Sequence, residues 1–145
     1  MIRVSSISNL RKIGDYQHQF DEVWAIVRSL SHPISGVKQV AALSPSTDLF
    51  HKYLNKKNAG EWGEKAFREM YVPQFISEMK ESAEAMSKLA ELFDADKNRK
   101  KILLLCFCSD ESLCHRSIIA GFLQGAGCNV VLDSNNDYSE YFKQL

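Results

Sequence analysis

The sequence predicts an α/β fold, a single small domain in which helices cover a mostly parallel sheet. Three observations carry that prediction. Ile102 to Cys108 reads ILLLCFC, apolar without interruption, as a central parallel strand buried on both faces should be. Strand, helix and strand follow one another over residues 101–132, which is a βαβ unit and requires a parallel pairing. A second β-branched and aromatic run, EVWAIVRS at Glu22 to Ser29, offers another buried strand.

In chain order, Met1 to Ile7 alternates loosely and gives a short first strand. Residues 9–21 are polar and contain Gly14, the mark of a loop or short helix. Glu22 to Ser29 is the second strand, although Trp24, Val27 and Arg28 also suit helical spacing. Ser31-His32-Pro33 and Ser35-Gly36 punctuate a loop. Val37 to Leu43 fits either a strand or a helix. Ser44 is placed to cap a helix that opens with Pro45, with Leu49, Tyr53 and Leu54 on its apolar side and Gly60 at its end.

From Glu61 to about Phe93, apolar residues recur at three-four spacing, so a long helical stretch is expected, with Pro73 kinking or splitting it. Asp94 to Lys101 reads as a solvated turn. The apolar strand to Cys108 comes next, then the loop Ser109 to Ser112 and a helix from Leu113 to Gln124 ended by Gly125 and Gly127. Cys128 to Leu132 is a short strand and Asp137 to Leu145 a terminal helix.

The chain has 145 residues, one domain's worth. Its 45% apolar and 25% charged content excludes a disordered or fibrous protein. The longest apolar run has seven residues, far below the roughly 20 that span a membrane. The start MIRVSSISN lacks the apolar stretch of a secretory signal, so a cytoplasmic location without membrane contact is expected. Eighteen basic and 18 acidic residues balance, which argues against a protein that holds nucleic acid mainly by charge. The balance is uneven along the chain: residues 1–58 carry net +4 and residues 59–145 net −4.

The four cysteines, Cys106, Cys108, Cys114 and Cys128, fall within 23 residues. Such clustering reads as reduced thiols around one site or in one piece of core, not as a disulfide framework. The chemistry therefore belongs to the strand-to-helix turn CFCSDESLCHRS. Ligands of open α/β sheets bind beyond the carboxyl ends of the strands, and a helix start offers free N–H groups and positive dipole to an anion. Arg116 can hold a phosphate or carboxylate two-pronged, with Arg28, Ser109 and Ser112 as further anion-binding candidates. The competing reading is that Asp110 or Ser112 caps the helix and Arg116 pairs with an acid such as Glu111. Cys114, at the helix start where thiol pKa values fall, His115 and Asp110 are the candidates for nucleophilic or acid-base work. Cys106 and Cys108, two apart on a strand, face one side; Cys106 and Cys128 are read as inert core thiols. Cys-x-Cys on a strand suits tetrahedral zinc poorly and no second knuckle exists, so neither metal nor cofactor is expected. Cys108 precedes Arg116 by eight positions and Cys114 by two, and neither is the spacing of a phosphatase loop. His32 could share the crevice with Arg28 and Arg116.

These segments resemble those of the domain-of-unknown-function family 488. LLLCFCSDESLCHRSIIAGFL is similar to its closing signature, in which an apolar strand, a short acidic loop and Cys-His-Arg open a helix. LSPSTDLFHKYL resembles its Ala-Pro-Ser-Thr-x-Leu helix start, KAFREMYVPQFISEM its Phe-Arg-x-x-Tyr helix, and EVWAIVRSLSHP its strand leading into an arginine-bearing loop. The agreement in order and spacing covers residues 20–130. Val27 stands where members often carry an aspartate, and Leu30-Ser31-His32-Pro33 where they carry Trp-Pro-Arg-Gly. The resemblance implies a small cytoplasmic α/β domain and leaves the activity open. Two functions of different class follow. One is an enzyme or binding protein for a phosphorylated small molecule or nucleotide. The other is a non-catalytic interaction module docking a protein on the helices of residues 61–93. Nucleic-acid binding by the basic half is a weaker third.

Overall fold

The computed structural model describes all residues 1–145. Five parallel strands form one sheet: β1 (Ile2–Ser6), β2 (Glu22–Ala25), β3 (Lys38–Gln39), β4 (Ile102–Cys106) and β5 (Val130–Val131), in the order β3-β2-β4-β1-β5. The α/β architecture read from the sequence is the one observed. β4 lies at the centre, with Leu104 opposite both Val4 and Trp24. All five of its residues are buried, because both faces and both edges are covered. The helix after β4 carries the chain over β1, so β5 pairs with β1 and not with β4.

Alternation along the strands divides the core. Trp24, Ile26, Leu104 and Cys106 face a thick helical layer made of α3 (Thr47–Asn58), α5 (Val72–Glu81), α6 (Ala83–Lys97) and α7 (His115–Gly125). Val23, Leu103 and Leu105 face a thin one, where Ile13 of α1 (Leu10–Ile13) packs with Phe20, which follows α2 (Tyr16–Gln19). The Cys106 side chain therefore points into the thick layer. No helix is long and apolar enough to cross a membrane.

The structure revises several sequence expectations. β2 ends at Ala25 and not at Ser29, because the chain leaves the sheet to form the loop that carries Arg28. Val37 to Leu43 is neither one strand nor one helix but a two-residue strand followed by a 3-10 turn. The cap of α3 is Ser46, whose Oγ accepts the Leu49 N–H at 3.1 Å, while Ser44 Oγ donates to Ala41 O. Pro73 does not split the helix that follows α4 (Glu64–Ala66). A π turn over Phe67–Tyr71, closed by the Val72 N–H to Phe67 O, widens the backbone just before the residue that has no N–H to give. The break falls at Ser82, whose extended backbone and Oγ cap α6. Residues 94–97 extend α6 because Ala95 packs into the core. The chain ends in a 3-10 turn, Ser139–Gln144.

That last turn lies on α7 at two glycines. A Cβ on Gly121 would stand 2.1 Å from Tyr138 O, and one on Gly125 2.2 Å from Phe142 Cβ. Gly121→Ala gains about 1 kcal/mol of helix propensity but must push the terminal turn away. The expected net loss is about 1–3 kcal/mol in urea denaturation, with residues 138–145 becoming open to protease. An unchanged midpoint would show that the terminal turn is not held by this contact.

Candidate functional site

The carboxyl ends of β2 and β4 and the start of α7 meet at a cavity of about 230 Å³. Its walls include Arg28, Phe50, Tyr53, Tyr71, Phe107 and Leu113, and Cys106, Cys108, Cys114 and His115 also line it. Each gets there for a local reason. Cys106 is the last residue of β4, which stops two residues short of the expected Cys108, and Cys108 lines the cavity from the loop that follows. Phe107, between them, is turned outward and is 58% exposed. Cys114 is the N-cap of α7, and no side chain caps that helix. The wide π turn supplies Tyr71, which stacks on Phe75. Phe75 in turn packs against the His115 ring.

The sulfurs are close. Cys106 Sγ lies 2.9 Å from Cys114 Sγ, the one thiol–thiol contact here with hydrogen-bond geometry. His115 Nδ1 stands 3.7 Å from Cys114 Sγ and 4.0 Å from Cys106 Sγ. The other ring nitrogen, Nε2, is 2.7 Å from Ile26 O. A carbonyl can only accept, so Nε2 carries the proton. Burial pushes the His115 pKa down. The ring is then neutral near pH 7, with the bare lone pair of Nδ1 turned toward the two thiols.

The three thiols divide one negative charge among them. The Cys108 thiol first, then the Cys114 thiol, the Cys108 backbone N–H and the Arg116 charge hold Cys106 down to about 4, against the effect of burial. Burial raises Cys114, and the neighbouring Cys106 raises Cys108. Of the three thiols, Cys106 is the one whose anion its neighbours favour, and it lies at the positive end of an uncapped helix.

Arg116 departs from its sequence reading as an anion ligand. It is buried among protein atoms and does not line the cavity. Its Nε and Nη1 are shut off from solvent without a hydrogen-bond partner. Nor does it pair with Glu111, whose carboxylate accepts from Ser134 Oγ and Tyr138 OH. A guanidinium stays charged in a protein. The anion its field favours is the Cys106 thiolate.

Arg28 does line the cavity. Its Nη2 donates to Thr47 Oγ1 at 2.5 Å and its plane lies 5.0 Å from the Phe50 ring centre, with no carboxylate as partner. Ser109, Asp110, Ser112 and His32 are exposed and outside the cavity. Asp110 Oδ1 accepts the Ser112 N–H and Oγ–H and so holds the 3-10 turn Glu111–Leu113. Its carboxylate is spent on the loop. Cys128 stays away from the other three thiols. Cys106 is in the core, as the sequence reading had it; what that reading missed is its contact with Cys114 and the aromatic wall of Phe50, Tyr53 and Tyr71. The thiol's position at the end of a buried strand, two residues before Cys108, was the available signal.

Cys106, Cys114 and His115 bring their ligand atoms within 4.8 Å of one another. Two thiolates on a tetrahedral zinc stand about 3.8 Å apart, given Zn–S bonds of about 2.3 Å. The observed Cys106–Cys114 separation of 2.9 Å is shorter than that.

One family model matches the chain, that of the active DUF488-N3 subclade, over residues 8–127. No curated protein and no solved structure matches it.

Proposed function

The chain belongs to the DUF488-N3 family, and from that premise we propose that it is an enzyme of thiolate chemistry acting on a phosphorylated small molecule with a flat body, a nucleotide being the class that joins both features. The observation that carries the reading is a single cavity shared by Arg28, free of any carboxylate partner, and by the Cys106, Cys108, Cys114 and His115 cluster. Arg28 takes the phosphate two-pronged. Phe50, Tyr53 and Tyr71 flank the flat part of the ligand. Cys106 is the nucleophile, and His115 Nδ1 receives and returns protons beside it. Arg116 acts from behind, through its charge. The description of the matched subclade as active supports chemistry over scaffolding.

The interaction module has less in its favour. The apolar side of residues 61–93 is spent on the core through Phe67, Tyr71, Phe75, Ile76, Met79, Leu89 and Leu92, and Met86 alone of that stretch is a large exposed apolar residue. The basic half of the chain is also partly neutralised, by Arg3–Asp133, Lys52–Asp48 and Lys56–Glu61, which weakens the nucleic-acid reading.

A melting screen of the reduced protein against nucleotides, sugar phosphates and inorganic phosphate tests the proposal. Ligand at 100 times its Kd adds about 2.7 kcal/mol, a rise of several degrees for a chain of this length. The expected result is a rise with one phosphorylated class in the wild type and none in Arg28→Ala. An equal rise in Arg28→Ala contradicts the assignment of Arg28, and no rise with any class contradicts the phosphorylated ligand.

A further inference from the structure

The geometry points to a second activity of the same cavity: two-electron reduction of a hydroperoxide with an apolar body, in which Cys106 is oxidised and Cys114 closes a disulfide onto it. This rests on the Cys106 thiolate of the reading above and not on its phosphorylated ligand.

Three observations meet here. First, the nucleophile and a second thiol are already 2.9 Å apart, so a bond between them needs the sulfurs to close by less than an ångström toward the usual length of about 2.05 Å. Most thiolates lack such a neighbour, and their sulfenic acids must wait for a thiol from solution. Second, both thiols are buried, Cys106 at 1% and Cys114 at 2% exposure, and both line the cavity. A sulfenic acid formed on Cys106 is therefore screened from thiols in solution and meets Cys114 first. Third, the bare Nδ1 of His115 is 3.7 Å from Cys114 Sγ, ready for the proton that Cys114 must lose before it can attack. The walls are aromatic and apolar, with Phe107 exposed at the mouth. They accept the hydrocarbon body of an organic hydroperoxide more readily than a small hydrated oxidant.

The steps balance. The Cys106 thiolate attacks the terminal oxygen of ROOH, an S–O bond forms and the O–O bond breaks. RO⁻ leaves and takes a proton from solvent to become ROH, and Cys106 is now a sulfenic acid. Cys114 passes its proton to His115 Nδ1, and its sulfur attacks Cys106 Sγ. The S–O bond breaks, and the departing hydroxide leaves as water with the proton from His115. The peroxide has been reduced by two electrons and the thiol pair oxidised to a disulfide. A dithiol reductant returns the pair to the starting state by thiol–disulfide exchange.

The test is to treat the full-length reduced protein with one equivalent of cumene hydroperoxide, follow peroxide consumption and map the thiols by peptide mass. The expected result is consumption roughly 100-fold faster than by free cysteine at the same pH. Two thiols per chain and about 2 Da are lost, and Cys106 is joined to Cys114. Cys114→Ser is expected to stop at a Cys106 sulfenic acid, about 16 Da heavier and captured by dimedone. Cys128→Ser leaves the rate unchanged. Consumption no faster than free cysteine, first oxidation at Cys108 or Cys128, or a disulfide that forms as readily in Cys114→Ser would overturn the inference. Should Cys114→Ser fail to fold, the wild-type map decides alone. A nucleotide-induced rise in melting temperature without peroxide consumption removes this activity and spares the proposed ligand. Peroxide consumption without any such rise does the reverse.

Discussion

Alkylation of the wild-type protein by iodoacetamide is expected to be fast and nearly independent of pH at one position, Cys106, and Cys106→Ser is expected to remove that phase altogether. At about pH 5 an ordinary thiol is ionised to roughly 3 parts in 10,000. Cys106, held near 4 first by the Cys108 and Cys114 thiols, is mostly ionised there. The gain in thiolate is about 3,000-fold, and the lower nucleophilicity of a low-pKa sulfur returns roughly 100-fold of it. A net advantage of at most about 30-fold at pH 5 is left, because Cys106 is 1% exposed and is reached only through the cavity. The clearer signature is the slope: labelling of Cys106 stays flat from about pH 8 to pH 5, whereas an unperturbed thiol slows about tenfold per unit. Peptide mapping of the labelled wild type assigns the phase without any substitution. A fast phase at Cys114 or Cys128, or one that falls tenfold per unit, contradicts the assignment.

The second large effect is on stability. Arg116 is a buried cation with two orphaned nitrogens, and Cys106 is the group whose anionic form its charge favours. Removing one member of a buried charge pair leaves the other uncompensated, which is far more damaging than replacing both by apolar groups. The Arg116 charge is the smallest of the influences named on Cys106, so Cys106→Ser is expected to lose about 1–2 kcal/mol at neutral pH, and Arg116→Met in that background to recover part of it. The coupling energy of the cycle Cys106→Ser, Arg116→Met and the double variant is expected at about 1–3 kcal/mol, read by urea denaturation of reduced protein. Additive single effects contradict the pairing of Arg116 with the thiolate.

The pH dependence has a definite sign. The folded pKa of Cys106 lies below its unfolded value, so its contribution is fully present above the unfolded pKa and is lost as pH falls toward about 4. The buried His115, whose pKa burial lowers, acts in the same direction. The unfolded chain takes up its proton on acidification before the folded chain does. Cys106→Ser is expected to flatten the stability profile between about pH 9 and pH 4.

The parts of the fold that were legible share one property. β4 announces itself because a strand buried on both faces must be apolar at every position, and ILLLC follows directly on the charged run that ends at Lys101. The parts that were not legible depend on neighbours distant in sequence. Whether Ser44 or Ser46 caps α3 is decided by Glu78, which receives both the Ser46 N–H and its hydroxyl. Whether Pro73 breaks the helix is decided by a π turn that periodicity does not register. The turn from Cys106 to Arg116 was recognisable as a site because cysteines, histidine and arginine crowd a strand-to-helix junction. Its division of labour was not. Arg116 turns inward because the first turn of α7 is enclosed, with residues 114 to 123 all buried. Cys106 becomes the reactive thiol because Cys108, two residues on, and Cys114, brought against it across an intervening loop, both favour its anion. No sequence spacing specifies the contact with Cys114.

The central claim is that one thiol of this cavity is a thiolate at neutral pH. The most direct measurement is the thiolate absorbance at about 240 nm of the reduced, folded protein as pH is lowered from 9, with Cys106→Ser and Cys106→Ala as references. The wild type is expected to keep the absorbance of one thiolate per chain down to about pH 4, and both variants to lack it at pH 7. An absorbance that develops only above about pH 8, as for an ordinary thiol, or that survives in both variants, would contradict it.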